Sequence, residues 1–337
     1  MDNSYIGKEV VNRRGNHGVI SKIDDFIYVD FGDHEGMYCD DAFSEGYLEF
    51  VDLSFNQMSK LDRCSIELKA MDMALAAPLK EIDSLIGLGN IKSKIDELVC
   101  QIKISNIRRA MGLKVPDTTN HMVFMGNPGT GKTTVARIVA KIFKALGVLS
   151  SGHIVEVDRS QLIAAYQGQT AIKTTNVLNS ALGGILFIDE AYSLCRSDDD
   201  DYGYEALDTI TKFMEDHRDD IVIIVAGYNK EMIDFIDANP GLSSRFKTFI
   251  TFDDYSGEEL FNIFNDFIVS NDYELDTDAK TEARHFFIEE GQCHSNARDV
   301  RNMFEKTISK QAKRLNQIDH LLIEDLINIH REDLCLG

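Results

Sequence analysis

No run of about 18 apolar residues occurs in the chain, so a membrane-spanning helix is not expected. Cys39, Cys64, Cys100, Cys195, Cys293 and Cys335 are scattered, with no C-x-x-C pair. That spacing argues against a disulfide framework or a metal site and fits a reducing cytosol. The opening residues, MDNSYIGKEV, lack both a basic start and an apolar core, so no secretory signal is expected there. There is no internal repeat and no low-complexity tract, apart from the short acidic run Asp198–Asp201. Basic residues are the minority: 35 Lys and Arg stand against 56 Asp and Glu, for a net charge of −21. Sequence-independent nucleic-acid binding draws on a basic surface, so a DNA-tracking motor is disfavoured. Adhesion to an anionic membrane is disfavoured for the same reason. What remains is a globular composition, 44% hydrophobic and 27% charged, in 337 residues, enough for two or three domains.

The most informative stretch is HMVFMGNPGTGKTTVARIVAKIF, residues 121–143. His121 to Met125 reads as a short buried strand, and Gly126 to Gly131 as a glycine-rich loop. From Lys132 a helix is expected, with Val135, Ile138, Val139, Ile142, Phe143 and Leu146 on one face and a cap at Gly147. Gly126, Gly131, Lys132 and Thr133 match G-x-x-x-x-G-K-[ST]. A triphosphate needs many donors at close range. Glycines let backbone N–H groups approach it, and the helix N-terminus adds partial positive charge. Asn127, Pro128, Gly129, Thr130, Gly131, Lys132, Thr133 and Thr134 are therefore expected to cradle ATP. Lys132 would reach the β- and γ-phosphates, and the Thr133 hydroxyl would ligate Mg²⁺.

Around this unit the chain changes character three times. Residues 1–54 carry short apolar or β-branched runs at Val10–Val11, Gly18–Ile23, Phe26–Phe31 and Tyr47–Val51, separated by turn material including Gly32–Gly36. They are expected to form a small SH3-like or Tudor-like β-barrel module, strongly acidic, that either docks a protein partner or simply caps the next domain. Residues 55–80 read as a helical connector that Pro78 breaks. Residues 81–255 alternate strand and helix, as in a three-layer α/β domain with a mostly parallel sheet. Helices are expected over 91–109 and from about Ser160, and strands at 153–157, 184–188, 221–225 and 246–252. Residues 256–337 read as wholly helical, opening with a Ser256/Glu259 capping box. Their second helix is expected to stop at Gly291, and a third runs from near Asn296 to about Leu315.

ILFIDEA, residues 185–191, is a second chemical motif. Four apolar residues deliver an acidic pair to a strand end, where ligands of α/β sheets sit. Beside a phosphate loop, Asp189 would hold Mg²⁺, and Glu190 would orient or deprotonate the attacking water.

The order of these features is similar to that of AAA+ ATPases: phosphate loop, Asp189–Glu190, a polar strand end at Asn229, NPGLSSRF at 239–246 and SNARDVRNMFEK at 295–306. The wording resembles the CbxX/CfqX family over roughly residues 80–330, but not the N-terminal module. The resemblance implies that Ile86 and Gly87 contact adenine and that Asn229 is a sensor 1 residue. It makes Arg245 an arginine finger reaching a neighbouring subunit's nucleotide, and Arg298 a sensor 2 cation from the lid. Many relatives carry arginine where this chain has Ser243. AAYQGQTA, residues 164–171, resembles a pore loop with Tyr166 as its aromatic; Gln167 stands where the family has a small apolar residue. Asp198–Asp201 would line a second pore loop or form a solvated one.

These readings lead to a cytoplasmic ATPase acting as a homo-oligomeric ring, a hexamer, on an unidentified protein recruited through residues 1–54. Two alternatives stay open: an ATP-dependent regulatory scaffold that threads nothing, and a nucleic-acid enzyme of clamp-loader or helicase type.

Overall fold

A computed structural model describes residues 5–14, 16–23, 26–32, 35–39, 42–44, 47–50, 53–116, 118–166, 168–195, 201–290, 295–318 and 320–336; the side chains of 49, 50, 53–67 and 290 are outside it. Gln167, Asp198 and Gly291 therefore lie outside the described residues. The backbone divides into two units, Met1–Ala74 with Cys100–Pro116, and Leu75–Val99 with Asp117–Gly337. The cuts fall inside two helices, α1 (Leu53–Asp83) and α2 (Gly89–Ala110), rather than at the linear boundaries expected from sequence.

The first unit holds an antiparallel sheet of β1 (Glu9–Asn12), β2 (His17–Ile23), β3 (Ile27–Asp30), β4 (Glu35–Tyr38) and β5 (Leu48–Phe50), in the order β4-β3-β2-β1-β5. Ile27 and Val29 of β3 face a core shared with Val10, Ile20 and Leu48, while Asp30 faces solvent. β4 occupies part of the stretch expected to be a turn. Its sequence, EGMY, has little β signal, and it is held by pairing with β3 from Ile27↔Tyr38 to Asp30↔Glu35.

α1 runs through Pro78 instead of ending there. An interior proline costs about 3 kcal/mol. Leu75 and Ile82, on either side of it, are fully buried, and each contributes about 1.5–3 kcal/mol. Packing offsets the break.

The second unit is built on β6 (Met122–Gly126), β7 (Ile154–Val157), β8 (Ile185–Ile188), β9 (Val222–Gly227) and β10 (Thr248–Phe252). All pairings are parallel, in the order β10-β6-β9-β8-β7. Every residue of β6, β8 and β9 is buried, as both faces of a parallel sheet require. α3 (Lys132–Ala145) buries the stripe read from sequence. It ends as expected at Gly147, with φ +71. Gly147 N–H donates to Lys144 O and Val148 N–H to Phe143 O, the paired bonds of a Schellman cap.

The helix expected from Ser160 is two helices, α4 (Arg159–Leu162) and α5 (Thr170–Ser180). Asp158 caps the first, and the backbone turns extended at Ile163. The Thr170 hydroxyl then accepts from Ala164 N–H, so a side chain replaces the helical bond. α6 (Asp201–Asp216), α7 (Asn229–Asp237) and α8 (Pro240–Arg245) complete the helices of the core.

The lid comprises α9 (Gly257–Ser270), α10 (Thr277–His285) continuing as a π turn over Phe286–Glu290, α11 (Ala297–Leu315) and α12 (Ile323–Ile327). The Ser256/Glu259 capping box is present. The lid is not wholly helical: β11 (Glu274–Leu275) pairs with β12 (Asn328–Ile329), and two residues are too few to show a period. Arg314 clamps Asp333, with Nε to Oδ1 and Nη2 to Oδ2 both at 2.8 Å. Asp333 is 1% exposed. Arg314 is 19% exposed and keeps Glu332 at 3.7 Å, so Asp333→Ala is expected to cost about 1.5 kcal/mol in urea unfolding, the loss of charge-assisted hydrogen bonds.

Candidate nucleotide site

Sheet order assembles the site. β9 lies between β6 and β8, so the residues after β9 stand between the phosphate loop and the acidic pair. A cleft of about 420 Å³ opens there. Gly126, Pro128, Gly129, Gly131, Lys132, Thr133 and Thr134 form one wall, Asp189 and Glu190 the opposite one, and Gly227 and Tyr228 the floor between them. Phe267, Ala297, Arg298 and Arg301 enter from the lid.

The loop has the backbone its glycines were expected to allow. Gly129 holds φ +73 and Gly131 φ +94, conformations that strain any other residue. Lys132 Nζ donates to the loop's own carbonyls, Gly126 O at 2.8 Å and Asn127 O at 2.7 Å. Burial lowers the Lys132 pKa, Asp189 and Asp254 pull it back up, and Arg298 pushes it down. These groups act on one another across the cleft.

Asp189 Oδ1 accepts from Glu190 N–H at 3.0 Å. Glu190 sits in the left-handed region, φ +47 and ψ +45, which costs a non-glycine residue about 1–2 kcal/mol. Strain of this kind gathers at functional sites. Tyr192 packs under Gly227 and meets Tyr228 with ring centroids 5.9 Å apart. Burial, then the charge of Glu190, pushes the Tyr192 phenol up to about 12, so it stays protonated.

Several expected residues stand outside the cleft. Asn229 begins α7 and is exposed; its neighbour Tyr228 is the residue on the cleft floor. Asn127 turns its amide to Asp254, and the buried Thr130 hydroxyl donates to Asn127 O. Ile86 and Gly87 do not line the cleft. They adjoin Leu88, which lies 3.7 Å from an added Cβ at Gly131 and lines a smaller pocket with Asp253, Asp254 and Tyr255. Tyr166 is 71% exposed. Its loop is braced at the base by Lys173 Nζ, which donates to Ser160 O and Ile163 O, and by the Thr174 hydroxyl on Leu162 O.

Arg245, at the end of α8, does not line the cleft of its own chain. Its guanidinium donates to Gly241 O at 3.1 Å and to Glu215 at 3.2 Å, and its Nε is buried without a partner among the described residues. Beneath it His121, 1% exposed, accepts Ile223 N–H on Nδ1. Burial, then the Arg245 charge, holds the His121 pKa down to about 4. The unfolded residue takes up its proton near 6.5. Stability is therefore complete above that pH and falls as the pH drops towards about 4. Urea unfolding at pH 7.5 and 5.5 is expected to show a loss of about 1.4 kcal/mol that His121→Gln lacks.

Two family models match the chain. One, described as the ATPase family associated with various cellular activities, covers residues 122–254, and an AAA lid domain covers 256–336. The chain is also 43% identical over 262 residues to stage V sporulation protein K of Bacillus subtilis, across 76% of this chain and 81% of that one. This chain belongs to the AAA+ ATPases of the CbxX/CfqX type. A second AAA+ relative is the chloroplastic ribulose bisphosphate carboxylase/oxygenase activase of Cyanidioschyzon merolae. It is 41% identical over 262 residues, across 76% of this chain and 89% of that one. The solved FIGL-1 AAA domain in complex with ADP superimposes with a TM-score of 0.53 at 17% identity, over 74% of this chain and 80% of that one, which supports the AAA+ fold alone. Membership of this family implies ATP binding, and the 420 Å³ cleft holds phosphate-loop residues between Gly126 and Thr134 together with Asp189 and Glu190.

Tyr228 and Arg301 line the cleft, and Asp254 and Asn296 bond to the loop at Asn127 and Pro128; motif reading assigns none of the four a role. The signal for Tyr228 was present, a polar residue directly after a buried strand. Motif reading puts the polar strand end at Asn229, the next residue, which is exposed.

Proposed function

We propose that this ATPase works as a ring, a hexamer, and spends the energy of ATP on remodelling a protein partner gripped by Tyr166. The observation that carries the proposal is the exposure of Tyr166 at the tip of a loop whose base is pinned by Lys173 and Thr174. A tyrosine kept for packing would be buried. The relative named as a carboxylase activase acts, by that name, on a protein, and the same class of target is proposed here.

In the proposed cycle the loop amides and Lys132 bind the phosphates, and Glu190 takes the proton of the attacking water. Arg298 closes the cleft from the lid, and Arg245 approaches the nucleotide of the next subunit. Mg²⁺ fits this site. Among the described residues no cluster of three His, Cys, Asp or Glu could cage a metal. In phosphate sites Mg²⁺ takes only one or two protein ligands beside phosphate oxygens and water. Asp189 and Thr133 are oxygen donors lining the one cleft. Bound there, Mg²⁺ would neutralise phosphate charge. Residues 1–54, read as an SH3-like barrel, would select the partner. No helix among the described residues is long and apolar enough to cross a membrane.

The test uses an unfolded polypeptide, casein, as the probe. Tyr166→Ala is expected to reduce casein-stimulated ATP turnover about tenfold, the loss of one aromatic anchor worth about 1.4 kcal/mol. Stimulation equal to wild type would favour the scaffold reading.

A further inference from the structure

Asp254 stands where the core ends and the lid begins. An acidic group beside a phosphate site opposes the ligand's charge. Two amides aimed at this carboxylate give it another purpose. Asn127 Nδ2, from the phosphate loop, donates to its two oxygens at 3.0 and 2.9 Å. Asn296 Nδ2, from the residue before α11, donates to Oδ1 at 2.8 Å.

Asn296 is 2% exposed and holds φ +52, ψ −133, a backbone that non-glycine residues seldom adopt. Its amide can face only one way. Oδ1 accepts from Tyr255 N–H at 2.9 Å, so Nδ2 must face acceptors, which are Asp254 and Pro128 O at 3.3 Å. The next residue, Ala297, donates its N–H to Gly129 O at 3.2 Å. A Cβ added at Gly129 would collide with Ser295 O. The loop tip and the start of the lid helix are thus in direct contact, and Arg298 is two residues further on.

We propose that Asp254 is a positioning residue: it holds Asn127 and Asn296 on one carboxylate, so that the loop conformation imposed by nucleotide is passed to the lid and sets Arg298 over the phosphates. The inference rests on residues 126–133 being the phosphate site.

The test is hydrogen–deuterium exchange over residues 295–300 in the full chain, with and without ADP. ADP is expected to slow exchange there about fivefold in wild type. Asp254→Ala removes the shared acceptor without adding charge. It is expected to raise exchange about tenfold in the absence of ADP and to abolish the ADP response. Asn127→Asp sets one carboxylate against another and is expected to do the same. In Asn127→Asp/Asp254→Asn the donor and acceptor are exchanged. The new amide can donate to residue 127 while its oxygen still accepts from Asn296, so exchange and ADP response are expected to return to within about threefold of wild type. A cap with a purely structural role would shift exchange equally with and without ADP, and that result overturns the proposal. So does a wild-type ADP response in Asp254→Ala, or a double variant no better than Asn127→Asp. Should calorimetry find no ADP binding to wild type, the phosphate site itself fails, and this inference with it.

Discussion

Glu190→Gln is expected to bind ATP like wild type and to hydrolyse it on the order of 10²–10⁴-fold more slowly, the contribution of a positioned general base. That is about 3–5 kcal/mol of barrier. The substitution changes little else. Glutamine has the size of glutamate and meets the same left-handed strain at φ +47. The bond from residue 190 N–H to Asp189 Oδ1 uses only backbone at that position. Lys132 and the loop glycines keep their places on the opposite wall. Phosphate release measures the loss, and calorimetry with ATP checks that binding survives. Turnover within about twofold of wild type would remove Glu190 from the mechanism.

Arg245→Ala is expected to lower turnover on the order of 10³-fold, the low end for a lost arginine finger. Arg245 does not line the cleft of its own chain, so the proposed effect is on the neighbouring subunit's cleft. Its guanidinium rests instead on Glu215, Ser244 and Gly241 O, and Thr119 bonds its carbonyl. It is held at the end of a short helix, with an Nε that has no partner among the described residues. Wild-type specific activity is expected to fall on dilution, as subunits part and each cleft loses the finger supplied to it. Activity that is independent of concentration, or an active Arg245→Ala, would place the finger elsewhere.

The phosphate loop was legible in sequence because each of its residues has a local reason. Gly129 and Gly131 need positive φ, Lys132 needs reach, and α3 needs its buried stripe. Asp189 and Glu190 were legible because an all-buried strand must end at the ligand side of a parallel sheet. The floor was less so. Tyr228 reaches the cleft because β9 inserts between β6 and β8, an order no local pattern encodes. Asp254 and Asn296 are joined to the loop by bonds spanning 127 and 168 residues. Pro78 misleads because burial of Leu75 and Ile82 outweighs its local propensity. β4, β11 and β12 are too short or too polar to carry a period.

The most direct test mixes two inactive proteins. Glu190→Gln retains Arg245, and Arg245→Ala retains Glu190. If each site is completed by a neighbouring copy, an equal mixture forms some interfaces in which both residues are intact. Random head-to-tail assembly makes these roughly one quarter of all interfaces, so the mixture is expected to recover roughly one quarter of wild-type ATP turnover. A mixture in which the subunits co-assemble but turnover stays at the sum of its two parts would contradict a shared site.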